Sequence, residues 1–182
     1  MSWAHDVEKE IANQLKEIFP EQEVKKEWRS YAKNEDWLKF GEVYAPYPDI
    51  AVGPFNIHTG DQAEQERMKI ENAFNQHKTF FQKCIEYNNY RNRNPRCLLV
   101  IEIEASKTPK YMVGDFINAS ILGFVGIIVV PEKLCNEALR IRKYLIGASE
   151  IKKIGDIAKN TVIIEYRQFM DRLGDGGEGK RL

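Results

Sequence analysis

The chain has 182 residues, 43% of them hydrophobic and 30% charged, which suits one globular domain with a substantial core and is too short for two. Lysine plus arginine equals aspartate plus glutamate at 27 each. This balance counts against a protein that wraps nucleic acid through bulk basic charge, but not against an enzyme whose acidic site offsets a local basic rim. Three cysteines in apolar contexts, Cys84, Cys97 and Cys135, form no CxxC pair, so they are expected to be reduced, buried and cytoplasmic.

Residues 5 to 19 predict an amphipathic helix, with Val7, Ile11, Leu15 and Ile18 at helical spacing and Pro20 as its end. The preceding residues contain no signal-peptide apolar region. EVKKEW (23–28) reads as a strand and WLKFGEVY (37–44) as a hairpin, while YPDIAVGPF (47–55) is a short strand bounded by prolines and a glycine. From 62 to 90 a single helical pattern places Ile70, Phe74, His77, Phe81, Cys84 and Ile85 on one face. A histidine on such a stripe is more often packed than a ligand, and His5, His58 and His77 lack zinc-ligand spacing.

NNYRNRNPR (88–96) is a polar, basic loop, and CLLVIEI (97–103) a buried strand. Thr108 followed by Pro109 marks a helix start. That helix is expected to reach Leu122 with Met112, Phe116, Ile117 and Ile121 inward, and Gly123 as its stop. The longest apolar run, ILGFVGIIVV (121–130), holds a second buried strand and falls well short of the ~20 residues that cross a bilayer. A helix over 132–147, a strand over 161–166 and a short closing helix over 166–173 follow; GDGGEGKRL (174–182) reads as a loose tail. The order predicts a single α/β domain over 1–173, with a mixed sheet flanked by helices on both faces.

Two carboxylates interrupt the first buried strand. Alternation puts Leu98, Val100, Glu102 and Glu104 on one face and Leu99, Ile101 and Ile103 on the other. Adjacent carboxylates on one face repel unless something positive lies between them. A hard divalent cation such as Mg²⁺ is one solution, and a basic residue, Lys107 or Lys110, is the other. The plainer alternative is a strand end emerging into solvent. Asp49 opens another short apolar strand although aspartate is a poor strand former; alternatively it is a turn residue after YAPYP. Were the two strands neighbours, Asp49 and Glu102 would converge on one ion.

This set resembles the PD-(D/E)xK nuclease superfamily, the restriction-endonuclease-like fold. Pro48-Asp49 opens one motif strand; Glu102-Ile103-Glu104 ends the next, followed by a helix and the buried GIIVV strand. In the archaeal Holliday-junction resolvase branch a glutamate precedes apolar positions three and seven residues on, as Glu8 precedes Ile11 and Leu15. The resemblance covers roughly 5–28, 47–53 and 97–131, and implies a three-layer core around a central mixed sheet, with the helical stretch 62–90 as an insertion.

The resemblance further implies Mg²⁺-dependent hydrolysis of DNA phosphodiester bonds, with Mn²⁺ as a substitute. Asp49, Glu102 and the Ile103 carbonyl would hold the metal and Glu8 would orient a bound water. The family usually keeps lysine at position 104; Glu104 gives an ExE form similar to a minority of type II restriction enzymes, where the second glutamate ligates metal or acts as a base. Lys107 would then be an auxiliary cation. Lys107 and Lys110, which follow the motif strand, and Arg91 and Arg93 of the basic loop are the candidate phosphate contacts, although such loops are often merely solvated. Restriction enzymes of this fold commonly act as dimers, so the implied partners are DNA and a second copy. The competing expectation is an inactive nuclease-fold protein serving as a DNA-binding or assembly module, favoured by Glu104 and by zero net charge.

Overall fold

The computed structural model describes residues 3–28, 47–56, 58, 60–85 and 88–174. The expected hairpin at 37–44 and the tail beyond 174 lie outside the described residues. In chain order the elements are α1 (Trp3–Ile18), β1 (Val24–Lys26), β2 (Ile50–Val52), α2 (Asp61–Gln76), α3 (Lys78–Ile85), β3 (Cys97–Ile103), α4 (Pro109–Leu122), β4 (Gly123–Val130), a 3₁₀ turn (Glu132–Leu134), α5 (Cys135–Glu150), β5 (Thr161–Glu165) and α6 (Tyr166–Gly174).

The five strands form one sheet in the order β1-β2-β3-β4-β5. The β1–β2 and β2–β3 pairs are antiparallel, whereas β3–β4 and β4–β5, joined through α4 and α5, are parallel. Parallel strands covered on both faces need apolar side chains pointing both ways. β3 and β4 meet that demand and are buried along their whole length.

Helices cover the sheet on both sides. Ile11 and Leu15 of α1, Ile70 of α2, Phe81 of α3 and Phe169 of α6 pack on one face with Leu99, Ile101, Ile127 and Val129. On the other, Met112, Phe116 and Ala119 of α4 join Ala138 and Leu145 of α5 against Val100, Ile128 and Val130. The result is a three-layer α/β domain with a mixed central sheet. Among the described residues no helix is long and apolar enough to cross a membrane.

Several expectations are corrected. The helical pattern at 62–90 is two helices broken at His77, whose imidazole lies 4.4 Å from the Phe19 ring and 3.6 Å from a carboxylate oxygen of Glu21. Both helices belong to the core through Ile70 and Phe81. Cys84 and Cys97 are buried thiols, but Cys135 is only partly covered. Gly123 does not stop α4 with a left-handed residue: its φ of −80° and ψ of 141° are extended, and it is already the first residue of β4.

The face of α4 is the consequential correction. Its buried residues are Met112, Phe116, Ala119, Ser120 and Leu122, whereas Ile117 and Ile121 are 37% and 41% exposed. A helix apolar nearly all round does not announce which side faces the core. Close approach decides it. A Cβ built at Gly126 of β4 would lie 2.9 Å from Ala119 Cβ and 2.8 Å from Thr161 Cγ2, so the smallest side chains of helix and strand are pressed together. Replacing Gly126 with alanine should therefore overpack this contact and cost roughly 1–3 kcal/mol in urea unfolding. Adding Ala119→Gly should recover part of that loss.

Candidate active site

β2 and β3 pair in a register that sets Ile50 opposite Ile101. One step further on, side chains take over from the backbone ladder. The Asp49 N–H donates to Glu102 Oε2 at 3.2 Å, and the Ile103 N–H donates to Asp49 Oδ2 at 2.7 Å. The Asp49 carbonyl accepts from the Glu27 N–H at 3.0 Å. A residue unsuited to strand interiors sits here because its carboxylate does what the strand end cannot, accepting a buried N–H.

Ala51 and Val100 belong to the layer covered by α4 and α5, and alternation puts Asp49 and Glu102 on that same side. Two residues of α4 meet them there. Asp115 shares a hydrogen bond with Glu104, and the Asn118 amide stands against Glu102. Glu104 extends β3 by one residue through its N–H to the Val129 carbonyl, at 3.0 Å, and its carboxylate accepts the Ser106 N–H. Glu102 and Glu104 are both buried, so the pair is not a strand end emerging into solvent. Asp49, Glu102, Glu104 and Asp115 form one carboxylate cluster, with Glu8 of α1 at its edge, 3.1 Å from Lys26 Nζ and 3.7 Å from His5 Nδ1.

Burial and like charge act on three of these carboxyl groups. Burial raises the Asp49 carboxyl to about 6, with Glu8, Glu104 and Glu27 pushing the same way against the Ile103 N–H. Burial, then the charges of Asp49 and Asp115, hold Glu102 well above the usual carboxylate range, opposed by the Asp49 N–H and the Asn118 amide. Asp115 is raised to about 8 by burial, by its hydrogen bond to Glu104 and by the charges of Glu104 and Asp49. A hydrogen bond between two carboxyl groups needs one proton, and the direction assigns it to Asp115. No basic side chain is among the groups that act on these three residues.

Lys107 and Lys110 are not among those groups; both are exposed, in the β3–α4 connection and the first turn of α4. Arg91 and Arg93 lie before the other end of β3, whose first residue Cys97 is five steps at about 3.3 Å each, roughly 17 Å, from Glu102. Arg91 is engaged within its own loop. Its guanidinium donates to the Asn88 and Tyr90 carbonyls at 2.7 and 2.6 Å and lies 4.7 Å from the Phe74 ring centre. In the same loop Asn92 donates to the Ser120 and Ile121 carbonyls and so ties down the end of α4. Arg93 is exposed there and lines a cleft of about 360 Å³.

Asp115 and Asn118 escape a reading that turns Ile117 and Ile121 inward. The signal that could have found them is their own spacing: two polar residues three apart on a helix otherwise rich in apolar ones.

The donor set suits a hard cation in charge and in kind, since every member offers oxygen. Three carboxylates have one oxygen held by a backbone N–H, and the remaining oxygen of Glu102, Oε1, is buried without a hydrogen-bond partner. Such an orphaned acceptor is costly unless something fills its place. As the side chains stand, however, no three His, Cys, Asp or Glu residues among those described are grouped so that they could hold an ion.

A pH dependence follows. The folded protein holds protons on Asp49 up to about pH 6 and on Asp115 up to about pH 8, whereas both unfolded carboxyls release them near 3.8. The native state thus binds more protons between these limits, and stability falls as pH rises through them. Thermal unfolding without divalent metal should show a higher midpoint at pH 5 than at pH 8. Asp115→Asn should flatten the dependence and raise the pH 8 midpoint, by roughly 2–4 °C per kcal/mol of repulsion relieved.

No protein-family model matches this chain, and no curated protein or solved structure matches it either.

Proposed function

We propose that this protein is a Mg²⁺-dependent DNA endonuclease of restriction-endonuclease-like fold. The observation that carries the reading is the backbone-pinned pair of Asp49 and Glu102, whose buried Oε1 lacks a partner, at the end of the mixed sheet. Phosphodiester hydrolysis needs little covalent help from a protein and much positioning and charge stabilisation. Asp49 and Glu102 are the residues that would hold the metal. When bound, Mg²⁺ polarises a scissile phosphate and lowers the pKa of an attacking water.

The chain's own groups supply the rest. The Asp49 and Ile103 N–H groups fix the two carboxylates so that their orientation costs nothing at the moment of reaction. Glu104, held by the Ser106 N–H and by Asp115, is placed to take a proton from the attacking water. Lys107 and Lys110 stand in solvent beside the cluster, where a strand's phosphates would pass. Mn²⁺ should replace Mg²⁺ in the same oxygen set.

A second reading, a nuclease fold that binds DNA without cutting it, is favoured by one feature: Glu104, bonded to Asp115, occupies the place of the family's lysine, and no basic side chain is among the groups that shift Asp49, Glu102 or Asp115. Cleavage assays separate the two. With Mg²⁺ or Mn²⁺ the protein should cut plasmid, single-stranded or branched DNA, and Asp49→Ala and Glu102→Ala should each lower the rate at least about 100-fold, the scale of losing an electrostatic group from such a site. Mn²⁺ should also raise the thermal midpoint by mass action, and both variants should abolish that shift. DNA binding without cleavage by any of these substrates would favour the second reading, and no metal shift would remove the first.

A further inference from the structure

Two exposed tyrosines flank the carboxylates from different elements: Tyr47, 40% exposed, two residues before Asp49, and Tyr111, 60% exposed, four residues before Asp115. Other exposed aromatic residues have different surroundings. Trp3 meets the Tyr166 ring edge-on, the Tyr90 hydroxyl donates to Asp156, and Tyr144 lies on α5.

Tyr111 is the more informative of the flanking pair. Residues 111, 115 and 118 are spaced by four and three, so they run along one side of α4. Asp115 of that line meets Glu104 and Asn118 meets Glu102. Tyr111 continues it four residues towards the helix start, about 6 Å further along the axis, which sets it at the rim of the cluster. Its side chain makes no hydrogen bond or ring contact among the described residues. Lys107 and Lys110, both exposed, lie in the same stretch. An open aromatic side chain in the same stretch as two exposed lysines, beside a site for phosphate chemistry, matches one kind of ligand: phosphates for the lysines and a flat base for the ring.

The pairing state of the base then matters. Inside a duplex both faces of a base are covered by its stacked neighbours, so a base can lie on a protein ring only if it is unpaired or opened. We propose that this site takes a DNA strand whose nucleotide beside the scissile phosphate is unpaired, and that Tyr111 is the platform on which its base stacks. This inference rests on the nuclease reading for the identity of the cluster, but binding tests it independently of cleavage.

The experiment uses a labelled 20-nucleotide single strand and the matching duplex, with Ca²⁺ in place of Mg²⁺, read by fluorescence anisotropy on the full chain. The single strand should bind at least about 10-fold more tightly than the duplex. Tyr111→Ala should weaken single-strand binding by roughly 5- to 100-fold, the scale of one lost stacking contact, while Tyr111→Trp retains it and duplex binding does not move. A 5-iodouracil strand should photo-cross-link to Tyr111, located by mass spectrometry of the digested protein. Equal binding of single strand and duplex, or an unchanged affinity in Tyr111→Ala, overturns the inference. Preferential, Tyr111-dependent binding without cleavage in Mg²⁺ or Mn²⁺ supports it and removes the nuclease reading. Cleavage of intact duplex as readily as single strand does the reverse, and binding to neither DNA overturns the inference.

Discussion

Where β2 meets β3, two backbone N–H groups are satisfied by two carboxylates: Asp49 accepts from Ile103, and Glu102 accepts from Asp49. This exchange replaces the next rung of a β-ladder and so ends the pairing without leaving buried donors unpaired. It also fixes two acidic side chains on the side of the sheet that α4 covers. Everything distinctive about this end of the molecule follows from it. The carboxylates cannot turn away to solvent without giving up those bonds, and they cannot lose charge without holding protons.

The cluster is therefore a place where the fold accepts instability. Buried like charges raise one another's pKa, and no basic side chain acts on Asp49, Glu102 or Asp115 to offset them. A core chosen for stability alone would fill these positions with aliphatic side chains, as Leu98 to Ile101 of β3 and Ile127 to Val130 of β4 do. Retaining acidic groups at such a cost is characteristic of functional sites, where a poised electrostatic environment is built at the expense of the resting state. The Asn118 amide and the Ser106 N–H moderate the repulsion without cancelling it.

Much of this was legible in the residues. The two continuous apolar runs gave the central strands, and strand alternation put Glu102 and Glu104 on one face. Pro48 and Asp49 marked the neighbouring strand's entry, and the elements came in the observed order. Composition does not distinguish a solvated cation from one engaged by its own backbone; Arg91 of the basic loop at 88–96 is the latter. His77 misled in a related way. Its apolar neighbours continue a helical rhythm across a break that only its own backbone, at φ −102° and ψ 26°, reveals.

The sequence by itself determined which strands are buried and which strand ends carry acid, because a two-residue period and a run of apolar side chains are local properties of the chain. The tertiary structure alone decided which face of α4 meets the sheet. That helix is apolar nearly all round, so its orientation is set by close packing between Ala119 and Gly126, residues too small to register in any hydrophobic pattern. That contact, made across the fold, turns Asp115 and Asn118 towards Glu104 and Glu102 and adds a fourth carboxyl group to Asp49, Glu102 and Glu104.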